Sequence, residues 1–199
     1  MNLFAIRHGE TAWSLSGRHT GTTDIPLTDK SRHLAERLRP ILAKRTFDLV
    51  LCSPLRRARE TCELAGLSET AILDADLVEW NYGEYEGMTI EQIEEAAPGW
   101  MIFRDGCPGG ESPEQVGERV DRVIARLRSV DCDSVLFAHG HVLRVLAARW
   151  IGLPVCGGRH FILNTGTICV LSDYCGAPAV RVWNAPVPGA GGILSKDNP

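Results

Sequence analysis

The chain has 199 residues, a formal net charge of −4 at pH 7 and an isoelectric point of about 5.9. This acidic balance creates no overall field that would attract nucleic acid or an anionic membrane, and no apolar run approaches the length of a membrane span. No secretory leader pattern is visible at the start of the sequence. We therefore expect a cytoplasmic protein that binds neither nucleic acid nor membrane, with a single domain over residues 1–185 and a loose Pro/Gly-rich tail over 186–199.

Strand-like and helix-like patterns alternate from the start of the chain. Residues 2–6 are apolar and short, as a buried parallel strand should be, and they stop at Arg7-His8-Gly9. A polar loop over residues 14–28 follows. The next segment carries leucines at helical spacing, and Pro40 inside it should kink or shorten the helix.

The middle of the chain begins with a second buried strand over residues 48–53. Ser53 as N-cap and Pro54 as the first helical residue predict a helix that runs through Leu64. The stretch from 77 to 110 is less regular. It holds Glu79 and several glycines and shows no clear periodicity.

The last third returns to regular elements. Ser112 and Gln115 have the spacing of a capping box at the start of a helix, and residues 134–139 read as a third buried strand. An amphipathic helix is predicted over 141–150. The remaining predicted strands are 161–164, 167–172 and 180–183.

Alternating strands and helices predict an α/β fold, a three-layer α/β/α sandwich around a mainly parallel sheet. Parallel strands align their carboxyl ends, and open α/β sheets bind ligands at that edge. Arg7, His8, Ser53 and His139 follow three of the predicted strands. We therefore expect them to converge into an anion site that contains histidine.

Seven cysteines are present, none of them in C-x-x-C spacing and none in a Cys/His cluster of the zinc type. Their number is odd, and Cys52 and Cys169 lie inside apolar runs, where a free cysteine packs as a small hydrophobic residue. We expect buried, reduced thiols.

Five motifs occur in a fixed order along the chain. They are Arg7-His8-Gly9-Glu10-Thr11-x-Trp13, Thr20-Gly21-x-x-Asp24-x-Pro26-Leu27-Thr28, Ser53-Pro54-Leu55-Arg56-Arg57-Ala58-x-x-Thr61, Leu77-x-Glu79-x-x-x-Gly83-x-x-x-Gly87 and Ala138-His139-Gly140-x-x-x-Arg144. Gly109-Gly110-Glu111-Ser112 adds a weaker sixth match. This ordered set resembles the histidine phosphatase superfamily, which includes the cofactor-dependent phosphoglycerate mutases. The resemblance implies a phosphoglycerate mutase-like fold with a short cap.

The resemblance implies a role for each of five residues. His8 would attack phosphorus through a neutral imidazole nitrogen while an acceptor, such as a backbone carbonyl, holds its other nitrogen as N–H. Arg7 and Arg57 would clamp the phosphoryl oxygens with bidentate donors, and His139 would add another donor. Glu79 would be the general acid, because a carboxyl beside a dianionic phosphate favours its protonated form. Since the cations are side chains, no metal and no cofactor is expected.

A second group of residues is expected to contact the phosphate or the rest of the substrate. These residues are Gly9, Ser14, Thr20, Gly21, Tyr82, Gly140 and His141. The remaining histidines, His19, His33 and His160, are expected to be surface or packing residues.

Two enzymatic functions share such a site, a phosphatase and a mutase. The superfamily's mutases carry a longer insertion between the acid and the second histidine, with a paired arginine for the substrate carboxylate. Here Glu79 and His139 are 60 positions apart, and residues 88–118 contain one arginine, Arg104. We therefore expect hydrolysis of small-molecule phosphate monoesters, with sugar phosphates as candidates. The mutase remains the alternative, and an inactive relative that only binds is a third hypothesis. The resemblance permits a homodimer.

Overall fold

Six strands form one central sheet in a computed structural model that describes residues 1–130 and 132–187. The strands are β1 (Asn2–Arg7), β2 (Leu49–Cys52), β3 (Ala71–Leu73), β4 (Ser134–Ala138), β5 (Thr167–Tyr174) and β6 (Ala177–Pro186). Their order across the sheet is β3-β2-β4-β1-β5-β6. The first four strands pair in parallel, whereas β5 is antiparallel to β1 and β6 is antiparallel to β5.

Helices cover both faces of this sheet. They are α1 (Ala12–Leu15), α2 (Asp29–Glu36), α3 (Arg39–Leu42), α4 (Arg56–Leu64), α5 (Ile90–Ala96), α6 (Ile102–Asp105), α7 (Pro113–Val130) and α8 (Gly140–Trp150). Alternate strand residues point to opposite faces of the sheet, and they pack in two separate hydrophobic cores. Leu51 and Leu136 pack in the core that includes α7 and α8, whereas Val50 and Phe137 pack in the core that includes α3 and α4. The predicted three-layer sandwich with a mainly parallel sheet is confirmed.

Register aligns the carboxyl ends of the three central strands. Arg7 pairs with Ala138 and Cys52 pairs with Phe137, so the residues that follow each strand emerge side by side. This alignment sets the position of the site, because every residue just beyond these strand ends reaches the same edge.

Several predicted boundaries differ from the structure. Pro40 does interrupt the helical pattern, which divides into α2 and α3. Helix α4 begins at Arg56 rather than at Pro54, because the hydroxyl of Ser53 accepts from the Leu55 amide in a turn that precedes the helix. Residues 161–164 form no strand, whereas 167–174 and 177–186 do.

Three short elements lie where the sequence showed no clear pattern. Strand β3 forms the edge next to β2, and helices α5 and α6 occupy part of the stretch between β3 and α7. The predicted domain boundary at 185 also falls inside β6, which ends at Pro186 and is followed by the buried Val187. The rest of the predicted tail lies outside the described residues. Across 1–130 and 132–187, no helix is both long and apolar enough to cross a membrane.

Candidate active site

Three strand ends bring two histidines together. The amide of His8 donates to the Ala138 carbonyl over 3.1 Å, and the amide of Ser53 donates to the Phe137 carbonyl over 2.9 Å. These bonds extend the parallel ladder by one residue past β1 and β2. As a result the rings of His8 and His139 lie 5.0 Å apart between centroids. The predicted convergence of the strand ends is therefore present in the fold.

The hydrogen bonds of His8 define its tautomer. Its Nδ1 lies 2.7 Å from the Gly9 carbonyl oxygen, which can only accept, so Nδ1 carries the hydrogen. Its Nε2 accepts from Arg57 Nε over 3.3 Å. Burial lowers the pKa of His8 well below its usual range, and the charges of Arg57 and Arg7 lower it further. The ring is thus neutral, and the lone pair on Nε2 faces the Arg57 guanidinium.

The Arg7 guanidinium lies between the Leu163 carbonyl and Gly140. Its Nη1 donates to the Leu163 carbonyl, and a Cβ built on Gly140 would lie 3.1 Å from Arg7 Cζ, so any larger residue there would press on the guanidinium. The Nε of Arg7 is buried and has no partner among the described residues. An unpaired buried donor on a cation is a group that a bound anion would satisfy.

Arg57 is fully buried and is held differently from the bidentate arrangement expected from sequence. Its Nη2 donates to the Thr20 and Gly21 carbonyls over 3.0 and 2.8 Å, and its Nη1 donates to the Thr23 carbonyl over 3.0 Å. The Nε is left to face both His8 and His139. Backbone carbonyls thus take up the outer nitrogens here, and bidentate contact of Arg57 with a phosphate stays a prediction.

Glu86 fixes the loop that supplies those carbonyls. Its carboxylate accepts from the Gly21 amide over 2.9 and 3.0 Å and from the Thr23 amide over 3.0 Å. The hydroxyl of Thr20 donates to the Arg18 carbonyl. The carbonyls of Thr20 and Gly21 thus hold Arg57, and contact of these two residues with a phosphate stays a prediction. Sequence reasoning missed Glu86, although it stands next to Gly87 in the acid motif.

Two further predicted phosphate ligands have local roles in the structure. The hydroxyl of Ser14 forms a capping box with Thr11 at the start of α1. Gly9 supplies the carbonyl that orients His8, and a Cβ there would lie 2.7 Å from Ser31 Cβ. Whether either residue also touches a phosphate remains a prediction.

His139 is fully buried between Arg57 and Ser53. Its Nδ1 accepts from Arg57 Nε over 3.1 Å, which leaves Nε2 as the N–H that meets the Ser53 hydroxyl at 2.7 Å. Burial lowers the pKa of His139 well below its usual range, and the charge of Arg57 adds to the effect. The ring is neutral in the absence of an anion.

Glu79 lies at the amino terminus of α8. One carboxylate oxygen accepts from the Trp80 and Val142 amides over 2.9 and 3.0 Å, and the other accepts from the His141 amide over 3.0 Å. These amides, together with the positive end of the helix, supply the hydrogen bonds that a buried carboxylate requires. Because His139 is the N-cap of this same helix, Glu79 and His139 lie at one helix end.

A buried ion pair supports the segment that carries Glu79. Arg119 of α7 contacts the Glu111 carboxylate through Nε and Nη2 over 2.8 and 3.0 Å. It also donates to three carbonyls of the segment, those of Asp76, Val78 and Glu79. Glu111 in turn accepts from the Asn81 amide over 2.8 Å. This network accounts for the weaker Gly-Gly-Glu-Ser motif.

Tyr82 and His141 line the site beside Glu79. The Tyr82 hydroxyl lies 2.6 Å from His141 Nδ1. His19 belongs to the same wall, with its ring centroid 4.9 Å from that of Tyr82. The expectation that His19 is a surface or packing residue agrees with its edge-on contacts to Tyr82 and Trp100. Arg144 lies over the Phe103 ring, and burial lowers its pKa to about 10.

Four of the seven cysteines are buried, one is half-buried, and Cys156 and Cys175 are exposed. None of the seven pairs in a disulfide. Within the part of the chain that the structure describes, no group of three or more His, Cys, Asp or Glu side chains is arranged to hold a metal ion.

With this geometry established, comparison with known proteins identifies the family. The sequence matches the histidine phosphatase superfamily (branch 1) over residues 3–186. The chain belongs to this superfamily. The resemblance inferred from the motifs is thus confirmed.

Individual members of the superfamily are similar over most of the chain. An acid phosphatase from Mycobacterium tuberculosis is 44% identical over 170 residues, which covers 83% of each chain. The sedoheptulose 1,7-bisphosphatase of Saccharomyces cerevisiae is 37% identical over 182 residues, which covers 75% of this chain and 67% of the yeast protein. A solved structure of an open reading frame product from Mycobacterium tuberculosis superposes with a TM-score of 0.88 at 39% identity, covering 93% of this chain and 97% of that one.

Proposed function

We propose that the protein hydrolyses phosphate monoesters of small metabolites through a phosphohistidine on His8, with Glu79 as general acid and then general base. One observation carries the proposal: a neutral imidazole, its Nε2 turned toward Arg57, stands on backbone bonded to Ala138, and a buried carboxylate binds the amino end of the helix that begins two residues later. A site that only bound phosphate would need the cations but would need neither an oriented nucleophile nor an acid beside it.

In the first step, Nε2 of His8 attacks phosphorus as the P–O bond to the leaving group breaks. Arg57 Nε and Arg7 stabilise the charge that develops on the phosphoryl oxygens. His139, whose Nδ1 accepts from Arg57 Nε, helps to hold that donor in place. The dianion beside Glu79 disfavours a second negative charge there, so the carboxyl takes up a proton and gives it to the leaving oxygen. The products are a free alcohol and phosphohistidine.

In the second step, Glu79 accepts a proton from a water molecule that attacks phosphorus. The N–P bond breaks, inorganic phosphate is released, and His8 returns to its neutral form. The hydrogen bond from Nδ1 to the Gly9 carbonyl holds the ring in one orientation through both steps.

Hydrolysis is favoured over phosphoryl transfer to a second substrate. Arg104, the one arginine between residues 88 and 118, pairs with Asp105 on the surface and donates to the Gly99 carbonyl. The Arg104 guanidinium is therefore engaged by neighbouring residues of its own segment, and it has no second arginine beside it in that stretch to bind a substrate carboxylate. Relatives named acid phosphatase and sedoheptulose 1,7-bisphosphatase support hydrolysis of sugar phosphates and related small metabolites.

The test is phosphate release from p-nitrophenyl phosphate. We expect turnover by the wild type, none by His8→Ala, and a loss of about 10²- to 10⁴-fold in kcat for Glu79→Gln. His33→Ala, which removes an exposed histidine, is the control. No release by the wild type, or undiminished release by His8→Ala, would contradict the proposal. Incubation with 3-phosphoglycerate and a trace of its bisphosphate tests the mutase alternative, which interconversion much faster than phosphate release would favour.

We further propose cytoplasmic localisation, metal-independent catalysis and a homodimeric assembly. Metal independence rests on the arginines, which supply the cationic charge that a metal would otherwise provide. Undiminished turnover after treatment with EDTA supports it. Cell fractionation tests the localisation, and gel filtration at several protein concentrations tests the assembly.

A further inference from the structure

A wall of uncharged polar and aromatic side chains adjoins Glu79. The rings of His19 and His141 are nearly parallel, with 10° between their planes and 6.1 Å between centroids. Tyr82 contacts both of them, and Trp100 lies edge-on to His19 at 5.8 Å. The backbone amide of His141 is bound to the Glu79 carboxylate, so the wall stands on the side from which the acid protonates the leaving group.

Each imidazole of this wall has one committed nitrogen and one available nitrogen. His19 donates from Nδ1 to the Met88 carbonyl over 3.0 Å, which leaves Nε2 as an acceptor. The Tyr82 hydroxyl lies 2.6 Å from Nδ1 of His141, so that nitrogen is engaged and Nε2 of His141 is left for a ligand. Neither Nε2 forms a hydrogen bond with another described residue, and neither is fully buried. Both nitrogens are therefore accessible to a ligand.

Both rings are neutral. Burial lowers the pKa of His19 and of His141, and for His141 the charge of Arg144 adds to the effect. The wall therefore offers hydrogen bonds without a net charge, next to the aromatic faces of Tyr82 and Trp100. A hydroxyl group is both a donor and an acceptor, so two hydroxyls match the available nitrogens. An alkyl or aryl group would displace water from them and leave both unpaired.

We propose that His19 and His141 bind hydroxyl groups of the leaving group, and that the enzyme thereby selects phosphate esters of sugar-like or polyol-like molecules. This inference rests on the proposed phosphatase function and specifies its substrate class. It assigns His19 a role in specificity that does not involve the phosphoryl group.

The experiment compares two esters of the same chain length, glycerol 3-phosphate and n-propyl phosphate, by kcat/KM for phosphate release. His19→Asn keeps an amide donor for the Met88 carbonyl but removes the acceptor at Nε2. His19→Gln brings an amide to the Nε2 position and tests for rescue. His33→Asn, a change at an exposed histidine, is the matched control.

We expect the wild type and His33→Asn to prefer glycerol 3-phosphate by about tenfold or more. His19→Asn should lower that ratio by about tenfold, and His19→Gln should restore part of it. A wild type without the preference, or a His19→Asn variant that retains it, would overturn the inference even if p-nitrophenyl phosphate is turned over normally. No release from any of the three esters would contradict the proposed function itself, and the inference with it.

Discussion

Replacing Arg119 by methionine should destabilise the protein strongly and weaken catalysis. The guanidinium is 6% exposed in its ion pair with Glu111, whose side chain is 20% exposed. Methionine keeps much of the side-chain volume but removes the two bonds to Glu111. It also removes the three bonds to backbone carbonyls on the segment that carries Glu79.

The size of the destabilisation follows from the charge of Glu111, which the substitution leaves without its partner. Removing one partner of a buried ion pair leaves the other charge uncompensated and costs about 3–5 kcal/mol. For a chain of this length each kcal/mol lowers Tm by roughly 2–4 °C, so Arg119→Met should melt roughly 6–20 °C below the wild type. Its kcat for p-nitrophenyl phosphate should fall by about tenfold or more, because Glu79 loses the contacts that fix its backbone.

Arg122→Met is the matched control for this experiment. Arg122 lies on the same helix and also makes a two-donor contact, to Asp76 over 2.9 and 2.6 Å, but its side chain is 61% exposed. An exposed pair contributes about 0–1 kcal/mol, so this variant should melt close to the wild type. Urea unfolding of both variants gives the free energies directly. Equal losses for Arg119→Met and Arg122→Met would refute the argument that burial makes the difference.

Two further predictions concern pH and glycine. Burial keeps His8, His139 and His141 neutral in the folded state by lowering the pKa of each, whereas the unfolded chain binds protons on them below pH of about 6.5. Stability should therefore be full above that pH and fall by about 3 kcal/mol between pH 6.5 and 5.5, as urea unfolding would measure; a constant free energy across that range would contradict it. Gly83→Ala combines a φ of +53° with a Cβ only 2.1 Å from the Pro108 carbonyl oxygen, and should cost about 2–4 kcal/mol. The control is Gly99→Ala, at φ +75° with open space around it, which should cost about 1–2 kcal/mol. Thermal melts of both variants measure the difference, and equal costs would exclude the steric contact as the cause.

The parallel sheet and its site edge were predictable because they follow from local signals. Residues 2–6 form a short apolar run that Arg7 and His8 follow, and the apolar run 134–139 ends at His139. Parallel pairing then requires their carboxyl ends to meet, whatever the length of chain between them. Helix α7 was predicted for a similar reason, since Ser112 and Gln115 form the capping box that their spacing indicated.

Elements that depend on tertiary partners were not predicted. Residues 161–164 have strand-like composition, but they form no ladder, and the Leu163 carbonyl accepts from Arg7 instead. Strand β3 has only three residues, two of them exposed, so its strand conformation depends on pairing with β2 rather than on its own pattern. At Ser53 the local signal was a helix cap, but the hydroxyl also meets the ring of His139.

In the site, too, local motifs were predictable from the sequence, whereas tertiary contacts were not. The motifs pointed to His8, Arg57 and Glu79, but not to the residues that hold them in place. Glu86 acts on Arg57 through the carbonyls of an intervening loop, a relation that exists only after folding. The one available signal was its place in a motif that had already supplied an acid. His19 gave no signal, because a single histidine in a polar loop is most often solvated.

The charges of the site explain why an acid can be available only when substrate is bound. Arg57 is a buried cation and Arg7 a half-buried one, Glu79 is a buried carboxylate, and His8 and His139 are neutral. The free site therefore carries a net positive charge in a medium of low dielectric, which favours an anion. A phosphate dianion reverses the sign, and one proton restores neutrality. In the proposed mechanism, Glu79 takes up that proton and gives it to the leaving group. Substrate binding would thus create the general acid, and formation of the proposed phosphohistidine would use it.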